Sequence, residues 1–99
     1  MIPDNVKREH ILQALAEIDR SGVPKGRQSR YFHLSYRGKT YPPKYVISLA
    51  NKFTNGKELE PRLFSGGYES NNLLTRLRFR VARSKGTWSK SITVAARTN

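Results

Sequence analysis

The residues of this chain best suited to chemistry lie in Arg37-Gly-Lys-Thr-Tyr-Pro-Pro-Lys-Tyr45. Tyr41, Pro42 and Pro43 make an apolar surface with few hydrogen-bond donors, and Arg37, Lys39 and Lys44 surround it with positive charge. Such a spot suits a phosphate group that carries an atom less polar than ordinary oxygen. A proline at the first helical position is also a common helix start, so the segment taken alone fits a structural role as well. A second candidate is Ser65-Gly66-Gly67. It lacks the Walker lysine and the dinucleotide-binding spacing, yet a backbone nest ahead of a helix can receive a phosphate or approach a base edge. Tyr68, Glu69, Ser70 and Asn71 follow it with side chains able to read bases from a groove. A third candidate is the loop Lys25-Gly-Arg-Gln-Ser-Arg30, whose Lys25, Arg27 and Arg30 could lie along a phosphate backbone. Arg78, Arg80 and Arg83 could do the same or form a solvated strand face.

Catalysis has little to work with. The absence of cysteine excludes disulfides, zinc knuckles and thiol nucleophiles. His10 and His33 are far apart in sequence, and no paired histidines or carboxylates suggest a metal site or an acid–base couple. The reading is therefore a binding module with no catalytic residue, no metal and no cofactor.

The charge distribution names the partner class. Nineteen Lys and Arg face seven Asp and Glu, a net charge of +12. From Arg20 to Lys57 there are nine basic residues and no acidic one, and from Ser70 to Asn99 seven and none. Such asymmetry points to a polyanion, nucleic acid first. No segment combines a strong apolar face with a lysine-rich one, which disfavours a membrane surface. Nothing resembles a signal peptide or a membrane span, so a cytoplasmic protein is expected.

These segments need positioning by a fold. The 99 residues are long enough for one domain with one modest core. Asp4 or Asn5 can cap a first helix whose apolar face is Ile11, Ala14, Leu15 and Ile18. Lys7 and Arg8 then sit in its first turn, against the helix dipole, which hints at work elsewhere. Tyr31–Tyr36, Arg37-Gly38 and Lys39–Tyr41 spell a β-hairpin. Pro42 and Pro43 end it and open a second helix that Asn55-Gly56 stops. A short helical turn over Glu60–Phe64, a third helix over Glu69–Leu77 and an alternating strand over Arg78–Arg83 follow, and Trp88–Ala95 could be a returning strand or a tail. The order predicts a small α+β domain, about three helices packed on a short, mostly antiparallel sheet.

Together these pieces resemble the sulfur-binding domains of modification-dependent restriction proteins. The likeness rests on Val-Lys-Arg-Glu-His-Ile-Leu-Gln-Ala-Leu-Ala-Glu-Ile-Asp, Tyr-Arg-Gly-Lys-Thr-Tyr-Pro-Pro-Lys-Tyr-Val-Ile, Leu-Phe-Ser-Gly-Gly and Arg-Phe-Arg-Val, and spans roughly residues 5–82, leaving 83–99 outside. The resemblance implies a reader of double-stranded DNA in which sulfur replaces a non-bridging phosphate oxygen, usually beside an HNH nuclease domain. It implies a sulfur pocket at Tyr41 and Pro42, with Pro43 and Tyr45 as further wall. Tyr45 stands where the family often has alanine. It implies a phosphate-binding arginine at Arg8, beside the phosphate-binding candidates Lys25, Arg27, Arg30 and Lys44 read from the charge pattern. Ser65, Gly66 and Gly67 become the base-contacting loop, and Tyr68 stands near the place of the family's base-reading arginine. Three other readings remain: a reader of modified bases such as methylcytosine, a general nucleic-acid or ribosome-associated protein, and a small nuclease.

Overall fold

The computed structural model describes residues 1–84. Its elements are helix α1 (Arg8–Ser21), strands β1 (Phe32–Tyr36) and β2 (Lys39–Tyr41), helix α2 (Pro43–Asn55), a 3-10 turn (Pro61–Leu63), helix α3 (Tyr68–Arg76) and strand β3 (Arg80–Arg83). The sheet is antiparallel with order β2-β1-β3. Three helices on a three-stranded sheet make the α+β fold anticipated from the sequence. The expected returning strand at Trp88–Ala95 lies outside the described residues.

Local sequence accounts for most boundaries. The β1–β2 turn has Arg37 at φ 50° and Gly38 at φ 79°. Two successive left-handed residues are what a two-residue type I′ hairpin turn requires. Pro43 occupies the first turn of α2, and Gly56 closes that helix in the left-handed conformation at φ 93°. Helix α1 begins later than the Asp4 or Asn5 cap predicted. Its N-cap is Lys7, whose N–H donates to His10 Nδ1 at 2.8 Å. The imidazole, three residues after the N-cap, accepts the N-cap amide as a Glu or Gln does in a capping box.

Helix α2 is the core of the molecule, buried along Tyr45–Asn51 between α1, α3 and the sheet. Its buried polar side chains are satisfied: Ser48 Oγ donates to the Leu59 carbonyl, and Asn51 Nδ2 donates to the Lys57 carbonyl at 2.9 Å. Those bonds anchor the segment leading to α3. From α1 come Ile11, Ala14, Leu15 and Ile18, and from the sheet Leu34. Each Ile or Leu among them contributes about 1.5–3 kcal/mol by leaving water. The register decides the faces. Leu34 pairs with Tyr41 and with Val81, and partners directly opposite share a side of the sheet. Phe32, Leu34, Tyr36, Tyr41 and Val81 therefore look toward the helices, while His33 and Ser35 look outward.

Candidate nucleic-acid interface

Two helix N-termini meet at one cavity. It has a volume of about 270 Å³. The start of α2 supplies Pro42, Pro43 and Lys44; the start of α3 supplies Gly66 and Gly67. The loop into β1 closes it with Arg27 to Phe32. Segments far apart in the chain, each singled out separately from the sequence, thus line one space.

The floor is apolar. Pro42 and Pro43 are buried beneath it, with Phe32 half-buried beside them and Tyr31 exposed at the rim. The backbone supplies donors. No side chain caps α2, and no acidic residue stands in its first turn. Its first amides therefore keep the partial positive charge of a helix start. At α3 the capping is local: Ser65 Oγ accepts the Tyr68 N–H at 3.3 Å, and the Ser65 carbonyl accepts the Ser70 N–H at 3.1 Å and the Ser70 hydroxyl at 2.6 Å. Glu69 Oε1 accepts the Ser65 N–H at 3.1 Å while Oε2 accepts the Ile2 N–H at 2.8 Å. These two amides hold the Glu69 carboxyl below its ordinary range. Glu69 and Ser70 are thus spent on shaping the loop, and Tyr68 remains exposed beside it.

The cations differ in how free they are. Lys44 Nζ lies 5.1 Å over the Phe64 ring, and Arg30 is exposed. Among the described residues neither has a carboxylate within ion-pair distance. Arg27 is held more firmly. Nη2 donates to Ser48 Oγ at 2.9 Å, the guanidinium lies 4.8 Å over Tyr45, and Nη1 is 3.9 Å from Glu58. Lys25 is exposed on the preceding turn, outside the cavity lining. Arg83, opposite Phe32 in the sheet, places its guanidinium 5.5 Å over that ring. Arg83 reaches the site only through Phe32, a link set by strand register that the sequence alone does not reveal.

A family model described as ScoMcrA-like, N-terminal head domain, matches residues 4–83. The chain belongs to that family. No curated protein and no solved structure matches it. Membership as a ScoMcrA-like head domain fits the modification-dependent restriction enzymes expected from the sequence, and implies DNA as the partner. No helix among the described residues of the head domain is long and apolar enough to cross a membrane.

Three residues assigned by resemblance sit elsewhere in the head domain. Tyr41 does not line this cavity, but it lines a neighbouring one of about 200 Å³ together with Pro42, Phe32 and Ser29. It is buried toward the helices, and its hydroxyl donates to Asp19 Oδ1 at 2.9 Å. Burial and that bond push its phenol up to about 12. Tyr45 is likewise buried, beneath Arg27. Arg8 Nη1 donates to the carbonyls of Leu77 at 2.7 Å and Arg78 at 3.2 Å, and its guanidinium lies 4.2 Å over Phe79. A cation at the last carbonyls of α3 complements that helix's negative end. This interaction accounts for the basic residue at the unfavourable end of α1. Arg78 does not continue β3 as the alternation suggested; at φ 70° it makes the break between α3 and the strand.

Proposed function

We propose that this head domain is a reader of phosphorothioate-modified double-stranded DNA in restriction, largely tolerant of flanking sequence. The observation that carries the reading is the cavity itself: the uncapped start of α2, the Gly66-Gly67 loop, Arg30 and Lys44 converge over a floor of Pro42 and Phe32. The amides and cations suit a phosphate, since a helix N-terminus favours an anion. The apolar floor suits its sulfur. Phosphate oxygen pressed on Pro42 and Phe32 loses water and gains no donor, at a cost of about 1–3 kcal/mol. Sulfur is larger, accepts hydrogen bonds poorly and gains dispersion contact. Discrimination then comes more from a penalty on oxygen than from a reward to sulfur. Pro42 and Phe32 form the cup in this reading, and the fully buried Pro43 holds Pro42 in place from beneath.

The domain binds and does not cleave in this reading. Nuclease activity belongs to a separate domain or partner, of the HNH type that the sequence resemblance implies, and the work is cytoplasmic.

A second reading draws on the size of the cavity. At about 270 Å³ it exceeds what one sulfur atom needs, a water molecule's share of liquid being about 30 Å³. Phe32 and Tyr31 in its wall offer stacking surfaces. A modified base, such as methylcytosine swung out of the duplex, would use them. Competition among three otherwise identical duplexes separates the readings: one with a single phosphorothioate, one with methylcytosine, one unmodified. Preference for the first supports sulfur, and preference for the second supports the base. Equal affinity for all three removes modification reading altogether.

A further inference from the structure

Helix α3 carries a stripe that the proposed phosphate site does not use. Tyr68, Asn72, Thr75 and Arg76 are exposed, at positions i, i+4, i+7 and i+8, while Ser70, Leu73 and Leu74 are buried on the other side. That spacing is one helix face. Among the described residues, no hydrogen bond or ion pair engages the Asn72 amide or the Arg76 guanidinium. The helix's one carboxylate, Glu69, is turned to the Ile2 and Ser65 amides. Along the stripe runs a second cavity of about 360 Å³, where Lys7 joins Tyr68, Asn72 and Arg76, with Asp4 and Glu69 also in its lining. The head of α3 lies at the first cavity, through Gly66 and Gly67.

We propose that this face of α3 enters the major groove of duplex DNA and reads base edges through Asn72 and Arg76. The inference rests on the reading that a DNA phosphate occupies the cavity at the head of the helix. A phosphate held there fixes where the helix meets the duplex, and the stripe runs on from that anchor. A helix with its side chains is about 10–12 Å across, and the major groove is about 12 Å wide. From Tyr68 to Arg76 the rise is about 12 Å, the length of three or four base pairs at about 3.4 Å each. The side-chain types match the groove's code: an amide pairs with both groups of adenine, and a guanidinium with both acceptors of guanine. The positive charge of the chain draws the groove's phosphates toward it. The reader therefore has a short base preference, beside a modification site that is otherwise tolerant.

The test is selection from a duplex library with a randomised window and an unmodified backbone. The proteins compared are wild type, Asn72→Ala, Arg76→Ala and, as a surface control, Arg62→Ala. Wild type and Arg62→Ala are expected to enrich the same short motif. Asn72→Ala loses preference at one position and Arg76→Ala at another within the same motif, each by about five- to a hundredfold in discrimination. An unchanged motif in both variants overturns the proposal, as does a wild type that binds duplex without any motif. A wild type that binds no duplex at all overturns the DNA reading together with it. A motif that survives in a protein indifferent to sulfur supports the proposal and sinks only the phosphorothioate reading.

Discussion

Gly66 lies against the stem of Lys44: a β-carbon at Gly66 would stand 3.0 Å from Lys44 Cδ. The two residues belong to the starts of different helices, and Gly66 leaves room for the Lys44 stem, whose ammonium lies over the Phe64 ring. Gly66→Ala forces that flexible side chain aside by a few tenths of an ångström. Alanine also restricts the unfolded chain, worth about 0.4–1 kcal/mol where the native backbone suits it. Melting temperature is expected to hold or rise, while affinity for duplex DNA falls by about two- to tenfold. An unchanged affinity would place Lys44 outside the DNA contact.

Arg8 offers a sharper choice. Resemblance makes it a phosphate ligand, whereas its guanidinium already closes α3 and covers Phe79. Arg8→Ala is expected to cost about 1–3 kcal/mol of stability in chemical denaturation, from carbonyls left unpaired and a lost cation–π contact. DNA affinity, measured below the unfolding transition, should change less than threefold. A large affinity loss with unchanged stability would restore the ligand role.

Tyr41 gives the fold an alkaline limit. Its phenol is raised from 10.0 to about 12, by burial first and by the bond to Asp19 second. Between those values the folded state keeps a proton that the unfolded state has released. Stability is fully present below pH 10 and falls as pH rises toward about 12, at about 1.4 kcal/mol per pH unit. Tyr41→Phe is expected to flatten that slope in urea denaturation at pH 9 to 11, and to leave any sulfur preference intact. The same slope in the variant would assign the titration to another group.

Glu69 ties the loop before α3 to the N-terminal segment. Its carboxyl is lowered from the ordinary 4.5 by the Ile2 amide first and the Ser65 amide second. The contribution of those bonds is present above that value and is lost as pH falls through the lower, folded value. Glu69→Gln should speed amide hydrogen exchange at Ser65 and Ile2 at neutral pH and remove its acid dependence. Unchanged protection at both amides would show that the loop is held some other way.

Much of the fold is written in local chemistry. Arg37-Gly38 specified the hairpin turn, Pro42-Pro43 the start of α2 and Gly56 its end, because each depends on backbone preferences of one or two residues. The late start of α1 was not legible, since an imidazole three residues inside the helix does the capping. The candidate site was legible as separate segments only. That Pro42-Pro43, Gly66-Gly67 and Arg27–Arg30 line one cavity depends on how α2 and α3 pack, which no periodicity reports. Tyr41 shows the same limit. Its place beside Pro42 suggested the cup; pairing with Leu34 turns its ring toward the helices, and it meets Pro42 at a neighbouring cavity that Lys44 and Gly66 do not line.

The central claim is that a cationic cavity floored by Pro42 and Phe32 distinguishes sulfur from oxygen on a DNA phosphate. The direct measurement is the dissociation constant for duplexes identical but for one atom: unmodified, and each of the two phosphorothioate stereoisomers, taken at one salt concentration. One stereoisomer is expected to bind about ten- to a thousandfold tighter than the other two duplexes, and Pro42→Ala to bring the three together. Three equal constants for the wild-type protein would contradict the account.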